Sequence, residues 1–168
     1  MAQWLEDIEL GNRIELGQWV MEEAEMIAFA RKYDPQPFHV DPAAAAQSHF
    51  GGVIASGWFT VACWMRAMIR QRNEQLLKYQ KPENDAPGPK PQNGPSPGFI
   101  DLIWPTPVRP GDAITFSATT SEKLVMKSRP GWGIIRSTNE GVNQDGELVL
   151  RFTGQGMVMC RSKSYQGE

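Results

Sequence analysis

Two side chains that can move protons, Asp34 and His39, stand five positions apart in the first quarter of the chain. Pro35 and Pro37 lie between them, and each proline ring fixes its own φ and disfavours helical geometry in the preceding residue. The spacing therefore predicts a stiff, non-helical segment that holds a carboxylate and an imidazole in a fixed relation. Such a pair can perform general acid and base catalysis.

A second chemical feature is Gly57, which precedes an almost unbroken apolar run over residues 58–65. The run is too long and too apolar on all sides for a surface helix, so it predicts a buried central helix from about residue 56 to residue 75 or 79. Free N–H groups at a helix start, with the positive end of the dipole behind them, suit a carbonyl oxygen that gains negative charge. We therefore expect an oxyanion site near the acid–base pair.

The elements that must position these groups follow from hydrophobic periodicity. Residues 13–20 alternate apolar and polar side chains, as in a half-buried strand, and residues 22–32 predict a helix with acidic residues in its first turn and basic residues in its last. This helix would deliver Asp34 at its end. Asp41 is placed to cap a short helix that begins at Pro42.

The last third of the chain has the composition of strands. Four stretches carry the pattern, over residues 99–104, 113–126, 132–142 and 147–160. Asp145-Gly146, between the last two, is a strong hairpin signal. One strand, several helices and then about four antiparallel strands predict an α+β fold, in which a curved antiparallel sheet wraps around a long central helix.

Residues 81–98 hold six prolines and three glycines. This density predicts an extended or mobile loop without regular structure. Because neither flank looks complete alone, we expect a single domain over residues 1–168, with a Pro/Gly-rich, solvated insertion at about 81–98. A lid or a partner contact is a second interpretation of the insertion.

Composition narrows the function classes. Seventeen Lys and Arg against 19 Asp and Glu give a net charge of −2 without a basic block, which disfavours nucleic-acid binding. Cys63 and Cys160 are isolated in apolar runs, which indicates core thiols in a reducing cytoplasm. Two histidines and lone cysteines are too few for a metal site. Arginines interrupt the apolar run before it could span a bilayer, so we expect a soluble, cytoplasmic protein with no membrane contact.

Three motifs in order carry a resemblance to a known family. They are Asp34-x-x-Pro37-x-His39-x-Asp41, Gly51-Gly52-x-Ile54-Ala55-Ser56-Gly57 and Pro107-Val108-Arg109-Pro110-Gly111-Asp112. Over roughly residues 14–160 the chain resembles the MaoC-like (R)-specific enoyl-CoA hydratases and dehydratases, whose fold is the hotdog fold. Gln36, Phe38 and Ser56 depart from the usual Asn, aliphatic residue and His of these motifs.

The resemblance implies a hydro-lyase that reversibly hydrates a 2-enoyl-CoA, or a related enoyl thioester, to a 3-hydroxyacyl thioester without a cofactor. It assigns Asp34 and His39 as the catalytic pair and the Gly57 N–H as the oxyanion donor. The side chains expected to contact the acyl-CoA substrate are Gln36, Phe38, Ser56 and Trp58. Aromatic residues at 38, 58, 59 and 64, if they point inward, would suit a short or unusually shaped acyl group.

Two other functions fit the same residues. A hotdog acyl-CoA thioesterase could use Asp34 to activate water at the thioester carbonyl, and a non-catalytic acyl-thioester-binding module would accommodate the departures at Gln36 and Phe38. The resemblance also implies a homodimer, or a higher homo-oligomer, with sheets joined edge to edge and the active site between protomers. Such pairing would cover an exposed strand edge.

Overall fold

The computed structural model describes residues 3–79, 90–163 and 165. Five strands form one antiparallel sheet in the order β1-β3-β4-β5-β2. The strands are β1 (Arg13–Val20), β2 (Gly98–Ile103), β3 (Ala113–Val125), β4 (Trp132–Val142) and β5 (Leu148–Met159). A 3₁₀ turn at Leu5–Asp7 precedes them, and the helices are α1 (Glu23–Tyr33), α2 (Pro37–Val40), α3 (Pro42–Gln47) and α4 (Gly57–Tyr79).

Helix α4 packs along the sheet and forms the centre of the core. Phe59, Trp64 and Ala67 on its inner face meet Phe116 of β3 and Phe152 of β5 in one buried cluster. The Trp64 and Phe152 rings meet edge to face, with centroids 4.6 Å apart. Each large side chain buried here stabilises the fold by about 1.5–3 kcal/mol. The predicted α+β hotdog architecture, a sheet around a long helix, is confirmed.

The prediction that α4 is buried on all sides is wrong for one stripe of the helix. Trp58, Met65 and Ile69 are 51%, 46% and 42% exposed, and their spacing places them on one face. The sheet covers only the opposite face, so this stripe is open in the single chain. None of the described helices is long and apolar enough to cross a membrane.

The two arginines that interrupt the apolar run of α4 lie against β1. The Arg66 guanidinium stacks 4.6 Å from the centre of the Trp19 ring. The Arg70 guanidinium lies over Gly17, where an added Cβ would come within 2.7 Å of Nη2. Gly17 has a φ of +106° at an irregularity of the β1–β3 pairing, a conformation that favours glycine.

Residues 90–97 of the Pro/Gly-rich segment form no helix or strand, as predicted, and residues 81–89 lie outside the described part of the chain. The Gly94 N–H donates to the Met157 carbonyl at 2.8 Å, and the Met159 N–H donates to the Gln92 carbonyl at 3.1 Å. The Ser96 hydroxyl donates to the carbonyl of Gln155 at 2.6 Å. This segment is therefore an extended, largely exposed stretch that continues the line of β2 along β5.

Two local turn predictions are confirmed. Asp41 caps α3, because its Oδ1 accepts from the N–H groups of Ala43 and Ala44 at 2.9 and 3.2 Å. The β4–β5 hairpin has Gly146 at φ +81°, a backbone angle that other residues rarely adopt. The Asn143 side chain braces this turn by accepting two backbone N–H bonds.

Candidate active site

Helix α1 delivers Asp34, and the one-turn helix α2 delivers His39. Asp34 follows the last residue of α1 and donates its N–H to the Ala30 carbonyl at 2.8 Å. The prediction that His39 lies on a non-helical segment is wrong. Pro37 occupies the first position of α2, where a missing N–H costs nothing and the fixed φ suits a helix.

The hydrogen bond between His39 and a backbone carbonyl determines which ring nitrogen carries the hydrogen. Its Nδ1 lies 2.8 Å from the carbonyl oxygen of Ile54, and a carbonyl can only accept, so Nδ1 carries the hydrogen. In the neutral ring Nε2 then holds a lone pair. The ring is 5% exposed, which fixes its orientation.

The Nε2 atom of His39 lies 3.4 Å from Oδ2 of Asp34. With a neutral imidazole both atoms are acceptors, and one water molecule can donate a hydrogen to each of them. The pair is therefore arranged to hold a water and to exchange protons with it. No group of three or more His, Cys, Asp or Glu in the described residues could hold a metal ion.

The pKa of Asp34 is held below its ordinary value. The main cause is the Gln36 side-chain amide, whose Nε2 donates to Oδ1 of Asp34 at 2.8 Å. Partial burial opposes this effect, while the Ser56 hydroxyl and the charge of His39 lower the pKa further. Asp34 is thus an ionised carboxylate at neutral pH.

The start of helix α4 leaves donors free beside the pair. Phe59 and Thr60 donate their N–H groups to the Ser56 carbonyl at 2.9 and 3.3 Å. Among the described contacts, the N–H groups of Gly57 and Trp58 have no partner. Such unpaired donors at a helix start are suited to an oxygen that gains negative charge.

A cavity of about 250 Å³ lies at this helix start. Its walls include Phe38, His39, Phe50, Gly57, Thr60 and Trp104. A larger cavity of about 610 Å³ lies between the 3₁₀ turn and the end of β3, but neither Asp34 nor His39 lines it. The smaller cavity is therefore the one that joins the predicted chemistry to a space for a ligand.

The structure places the predicted residues in three groups. His39, Phe38 and Gly57 line the cavity. Asp34 accepts a hydrogen bond from Gln36 and adjoins the cavity through its contact with His39. Ser56 is fully buried near Asp34, directly before the start of α4. Trp58 does not line the cavity, and about half of its surface faces solvent.

Sequence reasoning did not assign several walls of the cavity, among them Phe50, Thr60 and Trp104. Trp104 follows β2, and its ring lies so close to Gly57 that an added Cβ would meet it at 2.5 Å. Phe50 had a usable signal, because it precedes the Gly51-Gly52 bend. Arg109 of the third motif secures this bend by donating from Nη2 to the Phe50 carbonyl at 2.8 Å.

The chain is similar to proteins of one family over most of its length. A family model described as a MaoC like domain matches residues 8–82. The structure of a MaoC-like dehydratase from Rhodospirillum rubrum is similar, with 35% identity, a TM-score of 0.72, and coverage of 95% of this chain and 99% of that chain. An (R)-hydratase from A. caviae involved in PHA biosynthesis has 25% identity, a TM-score of 0.56, and coverage of 92% and 98% of the two chains.

A curated relative matches a shorter part of the chain. The uncharacterized protein YdeM of Bacillus subtilis (strain 168) is 30% identical over 67 residues, which are 40% of this chain. The match spans about half of that relative, 48% of its length. The full-length similarity to the R. rubrum protein carries the conclusion: the chain belongs to the MaoC-like dehydratase family.

Proposed function

We propose that this chain reversibly hydrates a 2-enoyl thioester, carried on CoA or a related pantetheine, to a 3-hydroxyacyl thioester. Asp34 and His39 form the acid–base pair, and the Gly57 N–H is the oxyanion donor. The observation that carries the proposal is the 3.4 Å approach of Asp34 to His39 beside a helix start with unpaired N–H groups. Membership of a dehydratase family and the similarity to an (R)-hydratase support it.

The residues account for each part of the addition. A water held between Asp34 and His39 gives one proton to the pair and adds its hydroxyl to C3 of the substrate. The electrons of the double bond move to the thioester oxygen, which the N–H groups of Gly57 and Trp58 stabilise as an enolate. The pair then returns its proton to C2. General acid–base catalysis of this kind contributes ~10²–10⁴ in rate, and an oxyanion donor roughly 10²–10³.

The cavity supports a short acyl group. Phe38, Phe50 and Trp104 form aromatic walls around a volume of about 250 Å³. Phe38 lines the cavity, while Phe59 and Trp64 are buried in the core and do not line it. The substrate class that fits best is therefore a short-chain enoyl thioester.

A homodimer fits the exposed apolar surface. Phe99 and Ile103 on edge strand β2 are exposed, as are Trp58 and Met65 on α4. A second copy paired along β2 would cover both sets and close the cavity on the side of Trp104. Sedimentation equilibrium checks this proposal, and a monomer at micromolar concentration would contradict it.

The reaction is tested by the loss of enoyl absorbance when purified protein is mixed with a short-chain 2-enoyl-CoA. We expect Asp34→Asn and His39→Gln each to lower kcat/KM by about 10²–10⁴ because each removes one member of the pair. His49→Gln is the matched control, since His49 is exposed and lies outside the cavity. Unchanged rates in both site variants would refute the assignment.

Two other outcomes would replace the proposal. Release of free thiol from a saturated acyl-CoA, without hydration of an enoyl-CoA, would indicate a thioesterase that uses Asp34 to activate water. Binding of acyl-CoA with neither product would indicate a non-catalytic module.

A further inference from the structure

Ser56 occupies the N-cap position of helix α4 but does not cap the helix. A serine at this position usually accepts a backbone N–H of the first turn through its hydroxyl. Here the Ser56 carbonyl receives the N–H bonds of Phe59 and Thr60, and its hydroxyl makes no hydrogen bond of acceptable geometry. The Ser56 hydroxyl is therefore available to a partner other than the helix that it precedes.

The Ser56 side chain is also fully buried. Its relative exposure is 0%, and its Oγ is one of three buried side-chain polar atoms without a partner in the described part of the chain. Burial of a hydroxyl without a partner is unfavourable, and such an atom in a folded protein calls for a reason. Incomplete hydrogen bonds in an unliganded site commonly tighten when substrate binds.

Asp34 is an acceptor near the buried Ser56 side chain, because Ser56 precedes Gly57, which lines one cavity with His39, and His39 lies 3.4 Å from Asp34. The hydroxyl lies close enough to lower the pKa of this carboxyl, although the contact does not yet have hydrogen-bond geometry. The other polar groups that act on Asp34 are the Gln36 amide, bonded to Oδ1, and the His39 ring. Among the described residues His39 is the one titratable neighbour whose charge acts on it.

We propose that Ser56 is a positioning residue for Asp34. In the substrate complex its hydroxyl donates to the carboxylate and holds it toward the water shared with His39, while Gln36 holds the other side. Because this hydroxyl is used for Asp34 and not for capping, the Trp58 N–H, which an N-cap hydroxyl would accept, stays free together with the Gly57 N–H. The role in catalysis rests on the function proposed above, whereas the contact with Asp34 does not.

The test is the Ser56→Ala variant, measured in two independent ways. A hydrogen bond to a charged group affects rates by roughly ten- to hundredfold, so we expect kcat to fall by that factor with KM within about twofold. Loss of the donor raises the pKa of Asp34, so the acid limb of the pH–rate profile moves to higher pH. The ¹³C NMR titration of the Asp34 carboxyl should move in the same direction.

Ser117→Ala is the matched control. Ser117 is a second buried serine, on strand β3, and it does not line the cavity. Its loss should leave the Asp34 titration and the pH–rate profile unchanged, whatever it does to stability.

The two readouts separate the failure of this inference from the failure of the proposed function. An Asp34 titration that is the same in wild type and Ser56→Ala would overturn the role of Ser56. A wild-type protein that does not hydrate enoyl thioesters would overturn the function, and the titration would still decide whether Ser56 positions Asp34. Wild-type kcat in Ser56→Ala would overturn the catalytic role even if the titration moves.

Discussion

Two consecutive helices of this chain begin in opposite ways. Helix α3 is closed by a side chain, because Asp41 accepts the N–H groups of Ala43 and Ala44. Helix α4 begins after Ser56, a residue equally able to cap, yet its first two N–H groups remain unpaired in the described structure. Both residue types favour the N-cap position, so the difference is that the Asp41 side chain accepts N–H groups of its helix and the Ser56 side chain does not.

The two helix starts contribute to different properties: the start of α3 contributes to stability, and the start of α4 to the proposed chemistry. A capped start such as that of α3 stabilises a protein by about 1 kcal/mol. The start of α4 forgoes this stabilisation, and Gly57, its first residue, lines a cavity together with His39. Unsatisfied groups of this kind cluster at functional sites, where the surrounding structure compensates for them.

The largest loss of activity is expected when a methyl group is added at Gly57, the first residue of α4. In Gly57→Ala the added Cβ would come within 2.5 Å of the Trp104 ring, so the ring or the helix start must shift. A shift of the N–H groups away from the thioester oxygen should lower kcat by about 10²–10³, as loss of an oxyanion donor does. Steady-state hydration kinetics measure this.

The control for this substitution is Gly156→Ala on β5. An added Cβ there would meet Ile135 at 3.6 Å, which is ordinary contact. Activity of Gly156→Ala should match the wild type. A Gly57→Ala enzyme with more than a tenth of wild-type kcat would show that the start of α4 is not the oxyanion site.

Much of the fold, including the capped start of α3, could be predicted from the sequence. The Asp41-Pro42 cap, the strand alternation and the Asp145-Gly146 hairpin depend on residues within a few positions of one another. Helix α1 and helix α4 were predicted to within about one residue at their starts for the same reason. Local chemistry fixes such features before tertiary contacts form.

The surroundings of the uncapped start of α4 depend on contacts between segments that are distant in the sequence. Trp104 covers Gly57 because the end of β2 meets the start of α4, and no local pattern shows this. The prolines around His39 led to one wrong prediction, because Pro37 begins helix α2. Pro37 lies at the first helical position, where its missing N–H is not needed, and proline content alone cannot reveal this. In the Pro/Gly-rich segment the loop was predicted, but the pairing of Gly94 with Met157 of β5 was not.

A smaller effect, on stability and not on rate, is expected at the closed helix start. Asp41→Ala removes the acceptor for two N–H groups of α3 and should lower the free energy of unfolding by about 1 kcal/mol. The melting temperature should fall by roughly 2–4 °C for a chain of this size. Thermal denaturation and kcat are measured on the same protein, and kcat should stay within about twofold of wild type.

Asp41→Asn is the matched control, since asparagine caps helices about as well as aspartate. A tenfold loss of kcat in Asp41→Ala, with the stability of Asp41→Asn unchanged, would mean that the two helix starts are coupled. The conclusion that the start of α3 serves stability and the start of α4 serves the reaction would then be wrong.

The smallest expected effect is a shift in the pH dependence of kcat/KM when Gln36 is replaced by alanine. The amide of Gln36 is the main cause of the lowered pKa of Asp34, so Gln36→Ala should raise that pKa toward its ordinary value. Because Asp34 acts as an ionised carboxylate, the acid limb of kcat/KM should move to higher pH, while the rate near neutral pH changes less. A pH–rate profile of both proteins measures the shift.

The same linkage applies to stability, and its sign can be stated. A carboxyl whose pKa is lowered in the folded state stabilises that state above its unfolded pKa and loses this contribution as pH falls through the folded pKa. Gln36→Ala should therefore lose stability at neutral pH and approach the wild type under strongly acidic conditions. Gln18→Ala, which removes a long 3.5 Å contact to Thr115 on the exposed sheet edge, should show neither change. An acid limb that stays in place in Gln36→Ala would mean that another group than Asp34 controls the ionisation that the reaction requires.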